Sequence, residues 1–163
     1  MNRIFFLAVI LSFASLHSNA QLASAKKNYI VGVSNSVSSL RIDGNINVTL
    51  VIAPNEPNVY IEGGEKFTKN VKASIVDGAM IINASTSSKS ENDVVIIYAP
   101  GISELELNGD IKLKTIGTIN AENLQLSING NCRLRLQHTG KMNIRLDDNY
   151  ELTEKEIMRV KPN

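Results

Sequence analysis

Apolar and polar residues alternate along much of the chain, with the period of two that indicates β-strands with one buried face. The alternation is clearest over residues 40–52, 105–113, 124–136 and 142–146. Val94–Tyr98 is apolar without a break, which predicts a strand covered on both sides. The polar stretch Ser85–Asp93 before it is predicted to be a loop. Helix-period patterns are almost absent, so the predicted fold class is all-β.

Three of these segments share a repeat centred on a glycine. The repeats are Leu40-Arg-Ile-Asp-Gly-Asn-Ile-Asn-Val48, Leu105-Glu-Leu-Asn-Gly-Asp-Ile-Lys-Leu113 and Leu126-Ser-Ile-Asn-Gly-Asn-Cys-Arg-Leu134. Gly109 and Gly130 are 21 residues apart. Periods near twenty indicate stacked units, none of which can bury its apolar face alone.

Asp-Gly and Asn-Gly are also strong signals for two-residue hairpins. In a hairpin around Asn129-Gly130, Ile128 would pair with Asn131, and Cys132 would face water while Ile128 is buried. In all three repeats, however, the apolar residues keep their even spacing through the glycine. A three-residue loop would also restore the phase, but its glycine usually comes last. The phase therefore favours a bend at the corner of a short single-stranded β-solenoid.

The first twenty residues have the three parts of a secretory signal peptide. Arg3 is followed by the apolar run Ile4–Leu16 and by small residues before a cleavage site after Ala20. The run is shorter than the roughly 20 residues of a membrane-spanning helix, so a retained anchor is the less favoured interpretation. We expect export to the periplasm, the outer-membrane surface or the extracellular space, with no transmembrane anchor in the mature chain.

The rest of the chain is predicted to fold as one domain between two flanking segments. Residues 21–36 form a lead-in, residues 37–150 form the β-solenoid domain, and residues 151–163 form a C-terminal tail. Thr153-Glu-Lys-Glu156 matches a capping box, which predicts a short helix over Glu154–Val160. This helix is a candidate cap for one end of a solenoid.

Charge and cysteine content narrow the function classes. Removal of residues 1–20 takes away Arg3 as the only charged side chain and leaves 16 basic and 16 acidic residues. A net charge of zero gives no general attraction to nucleic acid, which is not an expected partner, or to an anionic membrane. Cys132 is the only cysteine, so the fold has no intramolecular disulfide and depends on its aliphatic core.

Residues with catalytic or metal-binding chemistry are few and scattered. His138 is the only histidine after residue 20 and is predicted to lie in an exposed turn. Cys132 occupies the repeat position of Ile46 and Ile111, which predicts a core residue rather than a reactive thiol. The acidic cluster at residues 147–151 matches no calcium-binding loop and is predicted to be an exposed turn. We therefore predict no enzyme activity, no cofactor and no metal.

Several motifs together resemble a known bacterial family. They are Leu40-x-Ile-x-Gly-x-Ile-x-Val48, Val76-Asp-Gly-Ala-Met-Ile-Ile82, and Val94–Pro100 followed by Leu105-Glu-Leu-Asn-Gly-Asp110. With the later repeats, they look like the family described as "putative auto-transporter adhesin, head GIN domain", which is common in Bacteroidetes. The resemblance covers about residues 37–146 and implies a right-handed β-helix at the envelope or surface, with no established activity. The chain departs from the pattern after Gly140, where such repeats become sparse.

Stacking of the repeats predicts one surface feature. Lys112 and Lys114 precede Arg133 and Arg135 by 21 residues, so their outward side chains are predicted to form a basic strip, which Arg145 extends. The strip is either a solvated charged face or a contact for an anionic glycan, lipopolysaccharide or an envelope protein. The predicted function is an exported, non-catalytic interaction module. The alternatives are a glycan-active β-helix enzyme, which would need clustered carboxylates or a base with a metal on one concave face, and a purely structural envelope protein.

Overall fold

The computed structural model describes residues 25–29, 37–54, 57–88 and 90–146, with the backbone alone for residues 25–29. Within these residues the protein is nearly all-β, as the alternation predicts, with twelve strands and one short helix. In chain order the elements are β1 (Ala25–Tyr29), β2 (Ser39–Asp43), β3 (Asn47–Ile52), β4 (Asn58–Gly63), α1 (Glu65–Asn70), β5 (Val71–Val76), β6 (Ala79–Ala84), β7 (Val94–Ala99), β8 (Glu104–Asn108), β9 (Ile111–Ile116), β10 (Ile119–Asn129), β11 (Cys132–Arg135) and β12 (His138–Leu146).

The described strands form two six-stranded mixed sheets. The first sheet has the order β1-β4-β7-β3-β9-β11, and the second sheet has the order β12-β10-β8-β2-β6-β5. Neighbouring strands run parallel from β7 to β11 in the first sheet and from β12 to β6 in the second. The antiparallel pairs β1–β4, β4–β7 and β5–β6 lie at the other end of each sheet.

The chain crosses from the second sheet to the first at three glycines. Gly44 separates β2 from β3, Gly109 separates β8 from β9, and Gly130 separates β10 from β11. The two strands at each glycine lie in different sheets and pair in parallel with strands of other repeats. None of the three repeats is therefore a two-residue hairpin, as the phase of the apolar residues indicated.

These corner glycines stack on one another and leave no room for a side chain. Their φ angles are +130° at Gly44, +121° at Gly109 and +131° at Gly130, which L side chains rarely adopt. A Cβ on Gly109 would overlap the carbonyl oxygen of Gly44, and a Cβ on Gly130 would overlap that of Gly109. Backbone hydrogen bonds stabilise this close approach. The Gly109 N–H, for example, donates to the carbonyl oxygen of Asn129 at 2.7 Å.

Inward-facing aliphatic side chains from both sheets form one hydrophobic core. Leu40, Ile42, Leu50, Leu107 and Ile111 are among its fully buried members. Each such side chain stabilises the fold by about 1.5–3 kcal/mol relative to an exposed position. The core that the alternation predicted is thus the main source of stability.

Three local expectations differ from the structure. Val94–Tyr98 lies in β7, where alternate residues are fully buried and the others only half-buried on the outer face, so the strand is not covered on both sides. His138 begins β12 opposite Ile119 and is half-buried, because pairing with β10 continues into the predicted turn. The helix α1 was not predicted, since six residues are too few for a helical period; it buries Phe67 and Thr68.

Other expectations concern the connections and the ends of the chain. The described residues of Ser85–Asp93 connect β6 to β7 without a strand or helix, as predicted for a loop. Within the lead-in, residues 25–29 form β1, which pairs with β4. The signal peptide of residues 1–20, the acidic cluster at residues 147–151 and the predicted helix at residues 154–160 lie outside the described residues.

Candidate functional site

Four basic side chains form a compact group on the outer face of the first sheet. Lys112 and Lys114 project from β9, and Arg133 and Arg135 project from β11; all four are exposed. The register pairs Lys112 with Arg133 and Lys114 with Arg135. Adjacent strands are about 4.8 Å apart, and alternate residues along a strand about 6.6 Å apart, so the four charges form a small grid. We call these four residues the basic strip.

The basic strip has no acidic partner among the described side chains. Within residues 37–54, 57–88 and 90–146, none of the four side chains forms an ion pair. Laterally, the strip meets Asn47 and Thr49 of β3, which are neutral. Like charges directly opposite one another on a sheet destabilise it, so an anion placed over the strip would relieve repulsion within the protein.

The second sheet treats its charges differently. The Arg41 guanidinium on β2 lies 3.0 Å from the carboxylate of Asp43 and 3.5 Å from that of Glu106 on β8. The hydrogen bond to Asp43, together with the charges of both carboxylates, raises the pKa of Arg41. Asn108 also donates to Asp43 at 2.7 Å. Arg41 is therefore paired within the second sheet, whereas the cations of the basic strip have no such partner among the described side chains.

Arg145 does not belong to the basic strip. It projects from β12, in the second sheet, opposite Ser127 of β10. Lys141 lies on the same strand, opposite Asn123. The predicted extension to Arg145 is therefore wrong, because after β11 the chain returns to the second sheet instead of continuing in the first. Both side chains face away from the strip and provide a natural control for it.

Beside the basic strip, the outer face of the first sheet becomes aliphatic and then aromatic. One lateral row of paired residues runs across β11, β9, β3, β7 and β4; it consists of Arg135, Lys114, Thr49, Ile96 and Tyr60. At the usual strand spacing, this row is about 19 Å long. The row thus joins exposed cations to a half-buried tyrosine through Thr49, which is buried, and Ile96, which is half-buried.

The neighbouring row adds a second aromatic ring. It runs from Ile116 through Val51 to Tyr98. The rings of Tyr98 and Tyr60 meet edge to face, with centroids 5.6 Å apart and planes at 76°. Asn58 donates to the Tyr60 hydroxyl at 3.2 Å, which helps to hold the ring in place. We call Tyr60, Tyr98 and Ile96 the tyrosine end of the face.

The tyrosine end was missed in the sequence because its residues lie outside the glycine-centred repeats. One signal was available. The unbroken apolar run at residues 94–98 places apolar side chains on both faces of a strand, and one of those faces is the outer face of the first sheet.

The other candidate residues do not form a catalytic group. Cys132 is half-buried beside the core, with Sγ 3.5 Å from the carbonyl oxygen of Gly109, and burial raises the pKa of its thiol. A raised pKa keeps the thiol protonated and unreactive at neutral pH. His138 Nδ1 lies 3.4 Å from the carbonyl oxygen of Thr139. In the described part of the chain, no three His, Cys, Asp or Glu side chains are grouped as metal ligands would be.

A shallow depression of about 350 Å³ lies where the β7–β8 connection meets the start of β10. Among the residues that line it, Glu122 is the one carboxylate, and Ser38, Ser103 and Asn120 supply neutral polar groups. Glycoside hydrolysis uses a pair of carboxylates across the bond to be cleaved, so the depression does not present that arrangement.

In the described residues, no helix is long and apolar enough to span a bilayer.

Two sheets of mainly parallel strands, with a charged and aromatic outer face, define a nearly all-β protein whose distinctive chemistry lies on a surface. The family described as "putative auto-transporter adhesin, head GIN domain" matches residues 37–154. The chain belongs to this family, which confirms the resemblance seen in its sequence.

Solved structures share the fold at low sequence identity. A "putative adhesin" from Bacteroides fragilis has a TM-score of 0.61 and 14% identity, covering 78% of this chain and 60% of that chain. A "putative adhesin" from Parabacteroides distasonis has a TM-score of 0.50 and 12% identity, covering 76% of this chain and 56% of that chain. The chain therefore spans less than two thirds of the length of either structure. A comparison with curated proteins finds no match.

Proposed function

We propose that this protein is an exported, non-catalytic interaction module of the bacterial envelope, which binds an anionic ligand through the outer face of its first sheet. The observation that carries this proposal is the charge of the basic strip, for which the described residues supply no ion-pair partner. Four cations in a grid raise the local concentration of anions and steer them to the surface. A planar guanidinium, as in Arg133 and Arg135, can also bind a carboxylate or phosphate with two hydrogen bonds.

Export is supported by the signal-peptide pattern of residues 1–20 with cleavage after Ala20. It is supported independently by membership of a family whose description contains the word adhesin. The matching structures from Bacteroides and Parabacteroides carry the same word in their descriptions. An adhesin acts outside the cytoplasm, so the two lines of support agree.

The architecture that we propose for the module is a short right-handed β-solenoid over residues 37–150, with residues 151–163 as a cap or tail. Parallel pairing supports it, since β8 lies on β10 and β9 lies on β11 at the predicted spacing of 21 residues. The change of sheet at each corner glycine supports it as well. The hand is the one that the family resemblance implies.

A non-catalytic role is supported by the described side chains. Glycoside hydrolysis uses two placed carboxylates, and the basic strip and the tyrosine end offer cations and tyrosines instead. The half-buried thiol of Cys132, with its raised pKa, is a poor nucleophile. Binding without turnover is therefore the activity that this surface fits.

The test compares two charge reversals of equal size on opposite faces. Arg133→Glu/Arg135→Glu removes the arginine half of the basic strip, while Lys141→Glu/Arg145→Glu makes the same change in net charge on β12. Retention on immobilised polygalacturonate is measured for both variants and for the unaltered protein, over a series of salt concentrations. Products of cleavage are assayed in the same samples.

We expect the strip variant to lose retention by at least about tenfold, because reversal at two positions turns attraction into repulsion. The β12 variant should be retained like the unaltered protein, and retention of both should weaken with salt. Equal loss in the two variants would show that only net charge matters, and unchanged retention of the strip variant would refute the proposal. Cleavage of the polymer would show that the protein is an enzyme, and this result would also refute the proposal.

A further inference from the structure

We infer that the anionic ligand is an acidic polysaccharide bound across the strands, with its acidic groups on the basic strip and the faces of its sugar rings on the tyrosine end. The inference rests on the proposed anion binding and deepens it. It uses the observation that cations and tyrosines share the outer face of the first sheet, where Lys114 and Arg135 lie in register with Tyr60 on one lateral row.

The length of the face points to a polymer. Arg135 and Tyr60 lie about 19 Å apart on their row, so a free phosphate or a single sugar at the strip does not reach the tyrosines. The residues between them, Thr49 and Ile96, are neutral and put no opposing charge in the path. Glu62 of β4 lies on the neighbouring lateral row, the one that contains Arg133 and Lys112. A ligand that follows the row from Arg135 to Tyr60 therefore passes beside this carboxylate.

The chemistry of the two ends points to sugar. A pyranose ring presents C–H groups on its faces and hydroxyls at its rim, and tyrosine offers an apolar ring face beside a polar hydroxyl. The edge-to-face contact of Tyr60 with Tyr98 and the hydrogen bond from Asn58 hold the rings before a ligand arrives. Rings that are already ordered lose little conformational entropy on binding.

A membrane surface fits this face less well. Peripheral binding depends on apolar side chains that protrude into the lipid. On the outer face of the first sheet, Ile116, at 53% exposure, is the one large apolar side chain among the described residues that is mainly exposed. Tyr60 and Tyr98 are half-buried, so they offer a platform for stacking and little that could insert.

The experiment measures affinity for oligogalacturonates of increasing length, from dimer to dodecamer, by titration calorimetry. The variants are Tyr60→Ala, Tyr98→Ala and, as a matched control, Ile81→Ala, which removes an outward apolar side chain of the second sheet. Thermal unfolding is recorded for each variant, and Tyr60→Phe provides a version that keeps the ring. Vesicles of phosphatidylcholine with phosphatidylglycerol are titrated in parallel.

We expect affinity to rise with length until the ligand spans the face, and Tyr60→Ala to weaken the dodecamer by about two- to tenfold. The dimer should be unaffected by Tyr60→Ala, since it occupies the strip alone, and Ile81→Ala should change neither. Tyr60→Phe should bind the dodecamer like the unaltered protein even if Tyr60→Ala folds poorly.

Three results would overturn the inference. If the dodecamer and the dimer bind equally, or if both tyrosine variants keep full affinity, the ligand does not extend to the tyrosine end, although strip-dependent binding would leave the proposed function intact. Tight binding to the anionic vesicles, with weak binding to the oligosaccharides, would instead identify a lipid surface. If anion binding did not depend on the basic strip at all, the proposed function would be refuted as well.

Discussion

The stack of corner glycines makes a single methyl group a test of how the chain is folded. Gly109 lies between Gly44 and Gly130 in this stack, with a φ of +121°. In Gly109→Ala, the added Cβ would meet the carbonyl oxygen of Gly44. That oxygen belongs to the backbone that connects β2 to β3, so it cannot rotate away as a flexible side chain could.

Two costs combine in this variant. A non-glycine residue held at an unfavourable positive φ costs about 1–3 kcal/mol. A methyl group forced into a site without space costs about 1–3 kcal/mol. We therefore expect Gly109→Ala to lower the free energy of unfolding by about 2–6 kcal/mol. This is a large part of the roughly 5–15 kcal/mol that stabilises an ordinary domain.

Urea unfolding, followed by circular dichroism, measures the effect. With a slope of about 1–3 kcal/mol per molar urea, the midpoint should fall by about 1 M or more. Gly101→Ala is the matched control, because a Cβ there has nothing within 4 Å and the φ of Gly101 is not in the positive range. It should leave stability unchanged or raise it by up to about 1 kcal/mol, since alanine restricts the unfolded chain.

The comparison has a clear failing result. If Gly109→Ala and Gly101→Ala unfold at the same urea concentration, the corner glycines are not in close contact, and the register of β8 and β9 against β2 and β3 is wrong. Gly130→Ala should behave like Gly109→Ala, because its Cβ would meet the carbonyl oxygen of Gly109.

Three further predictions concern the reactivity of Cys132, the pH dependence of stability at Cys132, and the charge of the basic strip. Cys132 should react slowly with iodoacetamide in the folded protein and rapidly in urea, because burial raises the pKa of its thiol; equal rates would contradict this. Since folding raises this pKa, the thiol's contribution to stability is complete below about pH 8.5 and is lost as the pH rises above it, so unaltered protein should lose more stability there than Cys132→Ala. Lys114→Glu should raise the free energy of unfolding by about 0.2–1 kcal/mol, since it places opposite charges beside Arg135, and should weaken polygalacturonate retention. A lower urea midpoint for Lys114→Glu would contradict the repulsion argument.

The phase of apolar residues around Asx-Gly pairs contained more of the fold than was taken from it. Through Gly44, Gly109 and Gly130 the buried positions keep the same parity, and the chain changes sheet. Through Asp77-Gly78 the parity switches, since Ile75 pairs with Met80, and the chain makes the true hairpin of β5 and β6. Asp77 has a φ of +50° and Gly78 of +78°, as a two-residue turn of this kind requires.

The order of strands beyond the 21-residue repeat was not accessible from the sequence. β2 lies between β6 and β8 in the second sheet, and its pairing with β8 joins Leu40 to Leu105. Between these two residues the chain forms β4, α1 and the β5–β6 hairpin, which follow no repeat. Without a period, nothing in local pattern selects which distant strand becomes the neighbour.

The candidate site, like the strand order, was only partly predictable from the sequence. Stacking at a fixed period brings Lys112 beside Arg133 and Lys114 beside Arg135, as expected from their spacing. Arg145 was misplaced because the spacing between β11 and β12 breaks the period and returns the chain to the second sheet. The tyrosine end arises from β4 and β7, whose lateral pairing is long-range and antiparallel.

Parallel stacking places each outward residue beside its equivalent in the next repeat. A charged side chain therefore lies beside either an opposite charge, which stabilises the sheet, or a like charge, which destabilises it. On the second sheet, Arg41 forms ion pairs with Asp43 on its own strand and with Glu106 on the neighbouring strand. On the first sheet, lysine stacks on arginine twice, which lowers stability. A single carboxylate at residue 114 would remove part of that cost, and the same change would remove part of the surface that attracts an anion. The stability of this face and the binding proposed for it therefore oppose one another at residue 114.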